Sequence, residues 1–296
     1  QDRPIEHMWR RGTVGLSPQA SFTEFTFQGK PVLVLQIAFW VLVFCPIYSM
    51  VLYPLLMQLL SRVYRRRFKR EPITPKVTQI IAAYNEEQAL ARKLENSLSL
   101  DYPKDCLEII VASDGSTDRT DEIARSFADH GVKLVRVEGG EGKSAVLNEA
   151  VRQATGEIVA FSDATGLWDR DSVRAMAAHY ADPRVGCVYG WVSYDYDDSM
   201  AAKGFSTYQR FVMALRRAEA AFGTGVTAPG SIHSMRKSIY QPLPPAISAD
   251  MIDPFRTICQ GYYSTLEEKA ISREQSRTTI KDEWQARRRI CLRAWT

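Results

Sequence analysis

Acidic and amide side chains follow three of the short apolar stretches in this sequence. Asn85 and Glu86 come after the first stretch, Asp114 after the second and Asp163 after the fourth. Lys143 lies between the last two, directly after a glycine-rich segment. Carboxylate oxygens bind hard divalent cations, and a lysine neutralises a nearby phosphate as a point charge. The pattern therefore indicates a site for a metal-bound phosphate, although each loop taken alone is also ordinary turn and helix-capping chemistry.

Strands and helices alternate around these residues. Apolar runs predict strands at 77–84, 107–113, 132–137 and 157–162, and helical spacing predicts helices at 86–100, 120–131 and 143–156. This alternation predicts an α/β fold, with a Rossmann-like, mostly parallel sheet and helices on both faces. Right-handed crossovers bring the carboxyl ends of the strands to one edge, where ligands bind. The polar loops should therefore meet, and their carboxylates repel one another unless a cation or ligand is present.

An uncharged apolar segment at 32–60 precedes the α/β region. It exceeds the roughly 20 residues that cross a bilayer, so we expect one transmembrane helix. Residues 62–70 then carry six basic side chains and no acid. By the positive-inside rule, this run puts the following domain on the cytoplasmic side of the cell (inner) membrane. The expected organisation is a non-cytoplasmic segment at 1–30, a transmembrane helix at 31–60, a basic juxtamembrane linker at 61–75 and an α/β domain at 76–296.

Composition and spacing argue against several other classes of protein. The five cysteines show no CxxC or Cys/His spacing, so neither a zinc site nor a disulfide framework is indicated. No GxGxxG follows the first strand, and the segment before Lys143 lacks the GxxxxGK[ST] spacing, which argues against a dehydrogenase and a P-loop. The net charge is only +4, and membrane topology and phosphate neutralisation explain the basic clusters. We therefore expect membrane lipid, and no nucleic acid, as a partner.

Four motifs occur in order at the ends of the predicted elements: "AAYNEE", "SDGSTD", "GEGKSAVLNEAV" and "FSDAT". Together they resemble the donor half of family 2 glycosyltransferases, which have the GT-A fold. More narrowly, they resemble the membrane-bound cellulose-synthase-like and poly-N-acetylglucosamine-synthase-like branch. The resemblance continues through "GSIHSMRKSIY" (230–240), "SADMIDP" (248–254) and "EWQARRR" (283–289). It implies a GT-A domain over 76–296, with a donor half at 76–165 and an acceptor half at 166–296 that is truncated at its C-terminus.

The resemblance implies roles for individual residues in binding a nucleotide-sugar. In the family, the first two loops hold the nucleobase and ribose of UDP, and Asn85, Glu86 and Asp114 are the matching positions. Asp163 matches the first aspartate of the DxD motif, which binds a divalent metal, Mg²⁺ or Mn²⁺, and the diphosphate. Thr165 replaces the second aspartate of that motif. Lys143 and the arginines at 287–289 would neutralise the remaining phosphate charge. Gln285 and Arg288 match the family's QxxRW segment, in which Arg289 replaces the tryptophan, so Gln285, Arg288 and Arg289 are also expected to bind the nucleotide-sugar.

The resemblance also implies a catalytic base. The family has an acidic pair whose last member takes the proton from the acceptor hydroxyl, and Asp250 is the matching residue. Ala249 replaces the first acid of the pair, although one carboxylate suffices for this role. Two alternatives stay open: Asp253 as the base, or Asp250 as the cap of the next helix. Pro229 stands where relatives have an aspartate, and this departure leaves the acceptor open.

The implied function is an inverting glycosyltransferase of the hexosyltransferase type, acting in polysaccharide biosynthesis. It would move a sugar from a nucleotide-diphosphate donor, UDP-sugar being expected, to a glycan or lipid-linked acceptor at the cytoplasmic membrane face. One alternative is an enzyme of the same fold with another activated donor, such as a lipid-phosphate sugar synthase. The other is a degenerate glycosyltransferase-fold domain that binds nucleotide or a partner without turnover.

Overall fold

The computed structural model describes residues 30–138, 142–195, 200–244 and 247–275, together with Trp284 and Arg288. Within these ranges the strands are β1 (Val77–Ala83), β2 (Leu107–Asp114), β3 (Val132–Val137), β4 (Ile158–Asp163), β5 (Leu167–Trp168), β6 (Val185–Asp195), β7 (His233–Arg236) and β8 (Tyr263–Gln275). The α-helices are α1 (Lys30–Ile47), α2 (Tyr53–Val63), α3 (Leu90–Leu98), α4 (Thr120–Ser126), α5 (Lys143–Gln153), α6 (Ser172–Ala177), α7 (Met200–Ala220) and α8 (Ala249–Cys259). Contacts divide the chain into one unit that ends at Leu52 and a second that begins at Tyr53.

The second unit is built on one eight-stranded sheet, in the order β3-β2-β1-β4-β7-β6-β8-β5. The four strands of the donor half, β3, β2, β1 and β4, run parallel. Strand β7 is antiparallel to both β4 and β6, while β8 runs parallel to β6. The expected α/β architecture is confirmed, and its parallel part carries the polar loops at one edge.

The central strand β1 is buried on both faces, which explains its mostly apolar sequence. Ile80 packs with residues of α5 on one face. Ile81 points to the other face and packs with Leu90 and Leu94 of α3. Because alternate side chains of a strand face opposite ways, helices must cover both sides of the sheet. This packing fixes the carboxyl ends of the strands, from which the polar loops emerge.

The predicted elements of the donor half form with small shifts at their ends. The predicted helix at 120–131 is shorter, because α4 ends at Ser126 and a 3₁₀ turn follows. Gly131 then adopts φ +83°, a left-handed conformation that favours glycine. Helix α5 ends at Gln153 rather than at the glycine three residues on. These differences leave the loops at the carboxyl edge unchanged.

Residues 32–63 are helical, and their length and apolar composition are sufficient to cross a membrane, in agreement with the expected span. In the first unit, α1 passes into a π-helical segment at Tyr48–Leu52. Pro46 lies inside α1 and has no backbone N–H to donate, which accounts for irregular hydrogen bonding at this end of the helix. In the second unit, Tyr53 of α2 donates a 2.9 Å hydrogen bond to Oε1 of Glu219 in α7.

Candidate active site

The loops after β1 and β2 are hydrogen-bonded to each other. Asn85 has φ +54°, and its Oδ1 accepts a 2.8 Å hydrogen bond from the backbone N–H of Thr117. Its own N–H donates to Oγ of Ser116 at 3.2 Å, and the N–H of Glu87 donates to Asp118 at 3.1 Å. The Asn85 side chain therefore fixes the shape of the second loop. The sequence predicts only a nucleotide contact for this residue, so the positioning role is a finding of the structure.

Asp114 ends β2 at the carboxyl edge of the sheet. Its Oδ1 is buried, and no described residue donates a hydrogen bond to it. The preceding Ser113 is engaged elsewhere, because its hydroxyl donates to Oδ1 of Asp121 at 2.5 Å. A buried acceptor without a donor costs free energy, and a ligand that supplies an N–H or O–H would recover it. Asp114 thus has the geometry of a binding residue.

Asp163 ends β4 and pairs with Lys143 at the start of α5, with 2.5 Å between Oδ1 and Nζ. Both side chains are 39% exposed, so the pair is accessible to solvent. Burial raises the pKa of Asp163, but Lys143 first, and then His233 and Lys93, lower it more, so the pKa lies below its usual value. Asp163 is therefore ionised near neutral pH.

Glu86 lies in the same electrostatic environment. Its backbone N–H donates a 2.8 Å hydrogen bond to Oγ1 of Thr120. Burial and the negative charges of Asp163 and Asp118 raise its pKa, and Lys143 opposes them only in part. The structure thus brings Glu86, Lys143 and Asp163 together at the sheet edge, as the sequence predicted.

Asp250 faces Asp163 across Gly230. A methyl group built on Gly230 would lie 3.3 Å from Oδ2 of Asp250 and 3.6 Å from Oδ2 of Asp163. Asp250 lies in the first turn of α8, where its Oδ1 accepts a hydrogen bond from the hydroxyl of Ser248. The backbone N–H of Ala228 also donates to the carbonyl of Asp250 at 2.9 Å. Two carboxylates from opposite halves of the domain therefore border one small space.

Asp253, the competing acid, is in the protein interior. It is 1% exposed, and its Oδ2 lies 3.7 Å from Nε2 of the equally buried His233, too far for a good hydrogen bond. Burial raises the pKa of Asp253, although His233 opposes the shift. The geometry thus favours Asp250 over Asp253, and the role of Asp250 as base stays a prediction.

Residues that the sequence pattern did not identify hold the loop after Asp163 in place. The buried ammonium of Lys93 donates to the carbonyl of Gly166 at 2.5 Å and lies 4.9 Å from the centre of the Trp168 ring. The indole N–H of Trp168 donates to the carbonyl of Ser231 at 2.8 Å, and Asn96 bonds both backbone groups of Trp168. Trp168 thus links the donor-side loop to the residue that follows Gly230.

Lys93 could have been identified from its spacing. It lies three residues after Leu90 and one before Leu94, so it belongs to the buried face of α3. A lysine on that face needs an internal acceptor. Burial lowers the pKa of Lys93 to about 7, although Asp163 and Glu274 oppose the shift.

Two residues that depart from the family pattern, Thr165 and Pro229, differ in their exposure. Thr165 is exposed, and Pro229 is buried with a carbonyl that faces Nδ1 of His233 at 3.3 Å. Among the described residues, no group of three or more histidine, cysteine or acidic side chains is arranged to hold a metal ion. A cation held by Asp163 would therefore need phosphate oxygens and water to complete its ligands.

The predicted arginine segment lies mostly beyond the part of the chain that the structure describes. Gln285 and Arg289 fall outside the described residues. Arg288 is helical and its side chain is exposed. The role in nucleotide-sugar binding predicted for these three residues stays a prediction.

Known sequences match this chain over much of its length. The profile described as "Glycosyl transferase family 2" matches residues 78–243. A probable glycosyltransferase of Bacillus subtilis, YdaM, is 30% identical over 238 residues, which is 73% of this chain and 54% of that protein. Poly-beta-1,6-N-acetyl-D-glucosamine synthase of Staphylococcus epidermidis is 37% identical over 116 residues, covering 38% of this chain and 28% of the relative. The chain spans about half the length, or less, of these curated relatives.

Solved structures match the fold. The mannosyltransferase PcManGT of Pyrobaculum calidifontis, in complex with GDP-Man and Mn²⁺, superposes with a TM-score of 0.69 at 26% identity. The match covers 83% of this chain and 71% of that protein, and it confirms the expected GT-A fold. Residues 1–349 of S. aureus TarS give a TM-score of 0.52 at 18% identity, covering 69% of this chain and 59% of that one, a likeness of fold alone.

Proposed function

Because the chain belongs to glycosyltransferase family 2, we propose that it transfers a sugar, with inversion, from a nucleoside-diphosphate sugar to an acceptor hydroxyl. The observation that carries the proposal is the pair of carboxylates, Asp163 and Asp250, within 4 Å of one point at Gly230. Their surroundings differ, since Asp163 is paired with Lys143, whereas the carboxylate of Asp250 accepts only a neutral hydroxyl among the hydrogen bonds of the described residues. Such a difference suits one carboxylate to holding a phosphate-bound cation and the other to proton transfer.

The donor's nucleoside would bind at the carboxyl ends of β1 and β2. Oδ1 of Asp114 would accept a hydrogen bond from the base or ribose, which would satisfy a buried acceptor. Asn85 holds the adjoining loop in shape, and Glu86 lies at its rim. Lys143 at the start of α5 would neutralise part of the diphosphate charge.

The transfer step would use Oδ2 of Asp250. This oxygen faces the space beside Gly230, and there it would take the proton of the attacking acceptor hydroxyl. The sugar–phosphate bond breaks as the new bond forms on the opposite face of the anomeric carbon. Asp163 would hold a divalent cation, Mg²⁺ or Mn²⁺, which screens the charge on the departing nucleoside diphosphate.

The donor and the acceptor are proposed at a coarser level. UDP is the nucleotide that the motifs favour, whereas the matched mannosyltransferase was solved with GDP-Man and Mn²⁺. By their names, one relative is a synthase of a glycan and another, from Synechocystis, a synthase of beta-monoglucosyldiacylglycerol. We propose a glycan or lipid-linked acceptor, polysaccharide synthesis as the setting, and a catalytic domain on the cytoplasmic side of the membrane, as the basic run after the span favours.

Calorimetry and turnover measurements on the full chain test this proposal. UDP and GDP are titrated with and without Mn²⁺, and release of UDP or GDP from the matching nucleotide-sugars is then followed. We expect metal-dependent binding of one nucleotide, weakened by Asp163→Asn, and turnover that Asp250→Asn abolishes without loss of nucleotide affinity. Nucleotide binding without turnover would favour the degenerate domain, and turnover by Asp250→Asn at the wild-type rate would refute the base assignment.

A further inference from the structure

The outer face of α2 is apolar although the helix packs against the catalytic domain. On its inner face, Tyr53 bonds Glu219 of α7 and Pro54 is buried. On the outer face, a leucine stripe remains 43–59% exposed: Leu55, Leu56, Leu59 and Leu60. Val63 extends the stripe at the end of the helix and is 83% exposed. A stripe of this kind is typical of a helix that lies against a lipid surface.

The basic run that follows α2 divides into inward and outward side chains. Arg66 donates to the hydroxyl of Tyr263 and lies 4.5 Å from the centre of its ring. Phe68 packs on the same ring, with 5.6 Å between the centres. Arg70 pairs with Glu267 at 3.1 Å. These alternate residues attach the run to β8, so they are structural contacts of the domain.

Arg65 and Arg67 point the other way. Both are exposed, and no described residue forms an ion pair or hydrogen bond with either guanidinium group. They border a cleft of about 540 Å³, the arginine cleft, which is lined by Val63, Arg65, Arg66, Arg67, Phe68 and Arg70. Two guanidinium groups at the rim of a cleft, without a partner among the described residues, are suited to bind an anion, because an arginine fork matches phosphate oxygens.

We propose that the arginine cleft and the leucine stripe together bind an anionic glycerophospholipid. The phosphate and anionic head group contact Arg65 and Arg67, and the acyl chains lie along the outer face of α2. Val63 belongs to both surfaces, so the apolar and basic parts are continuous. This site is separate from the sugar-transfer site, and the failure of either proposal leaves the other standing.

The apolar stripe is what favours a lipid over a free phosphate. A free anion needs only the guanidinium groups, whereas four exposed leucines beside them are explained by acyl chains. The basic run also follows a candidate membrane span directly, the position at which head groups of anionic lipids meet a polybasic segment. A nucleic acid would need free aromatic platforms or a longer basic groove, and the exposed aromatic ring beside the cleft, Tyr64, is already stacked on Phe222 with 5.7 Å between the ring centres.

Lipid binding to the full chain tests the proposal. The protein is delipidated in a neutral detergent, titrated with phosphatidylglycerol or phosphatidylcholine, and the bound lipid is counted by native mass spectrometry. We expect phosphatidylglycerol to bind more tightly, and Arg65→Gln/Arg67→Gln to weaken it about 30-fold, from two arginines near the head group. The matched control is Arg92→Gln/Arg125→Gln, which removes the same charge from exposed positions of α3 and α4 and should have no effect.

Two further arms separate a lipid from a free anion. Leu55→Ser/Leu59→Ser should weaken phosphatidylglycerol binding while all the arginines stay in place. A large excess of inorganic phosphate should displace little of the bound lipid. The proposal is overturned if both lipids bind equally, if the control variant loses binding as much as the cleft variant, or if phosphate displaces the lipid completely and the leucine variant binds normally.

Discussion

Gly230→Ala is the substitution that isolates the space between the two carboxylates. The added methyl group would lie 3.3 Å from Oδ2 of Asp250 and 3.6 Å from Oδ2 of Asp163. It would not strain the backbone, because Gly230 is not among the glycines with positive φ. The change therefore fills the proposed reaction space and leaves the fold intact.

The expected effects on stability and on activity differ. The two contacts are no closer than tight van der Waals packing, and replacing glycine by alanine at a compatible φ stabilises a protein by about 0.4–1 kcal/mol through the unfolded state. We expect the free energy of unfolding to stay within about 1 kcal/mol of wild type. A displacement of reacting groups by about 1 Å costs about 100-fold in rate, or about 2.7 kcal/mol in the barrier. The fall should appear in turnover, since the proposed nucleoside site, at the carboxyl ends of β1 and β2, lies elsewhere on the sheet edge.

The measurement combines unfolding by denaturant, nucleotide binding and turnover. Gly131→Ala is the control, because Gly131 has φ +83° and open space around it, and it precedes β3 at the opposite end of the parallel strands. It should lower stability by about 1–2 kcal/mol and leave the turnover of folded protein unchanged. Wild-type turnover by a folded Gly230→Ala variant would refute the placement of the reaction between Asp163 and Asp250.

Three further substitutions test the supporting residues. Trp168→Phe removes the indole donor from the carbonyl of Ser231, so it should lower turnover more than donor affinity, as kcat and the donor dissociation constant measured together will report. Lys93→Met removes a lysine whose pKa falls to about 7 on folding. Between pH 7 and about 10 only the unfolded wild type holds that proton, so wild-type stability should rise relative to the variant by up to about 1.4 kcal/mol per pH unit in denaturant unfolding, and a flat difference would contradict the lowered pKa. Thr165→Asp adds an exposed carboxylate two residues from Asp163 and should tighten Mn²⁺ binding without nucleotide by about tenfold, whereas unchanged affinity would mean that the side chain does not reach the metal.

The fold of residues 76–165 could be predicted because the sequence patterns that determine its strands and helices are local. Strands β1, β2 and β4 read as mostly apolar runs, while β3 places two exposed basic side chains among apolar ones, and their parallel pairing follows from the crossover helices. Asp114 and Asp163 were predicted to share an edge because each ends such a strand. The structure has both residues at the ends of β2 and β4. Here the local sequence pattern and the global fold agree, so the fold of this part can be predicted from the sequence.

The support beneath the site could not be predicted from local pattern. Lys93 and Trp168 meet only because α3 packs against the loop after β4, a contact between residues far apart in the sequence. The pairing of His233 with Asp253 likewise depends on the position of α8 against β7. The antiparallel order of β4, β7 and β6 follows from long connections, which carry no crossover rule. In each case the arrangement depends on contacts between residues that are far apart in the sequence.

The structure also bears on the missing first acid of the catalytic pair. Ala249 is 4% exposed and packs in the apolar cluster that contains Ile239 and Leu243. A carboxylate at that position would be desolvated, and ionised it would need a partner that this cluster does not contain. The side chain at position 249 therefore lies in this cluster, whereas the α8 carboxylate that lies beside Gly230 is that of Asp250. Its Oδ1 is occupied by the hydroxyl of Ser248, so Oδ2 is the oxygen left to accept a proton. The departure at position 249 is therefore weaker evidence against turnover than the sequence alone implied.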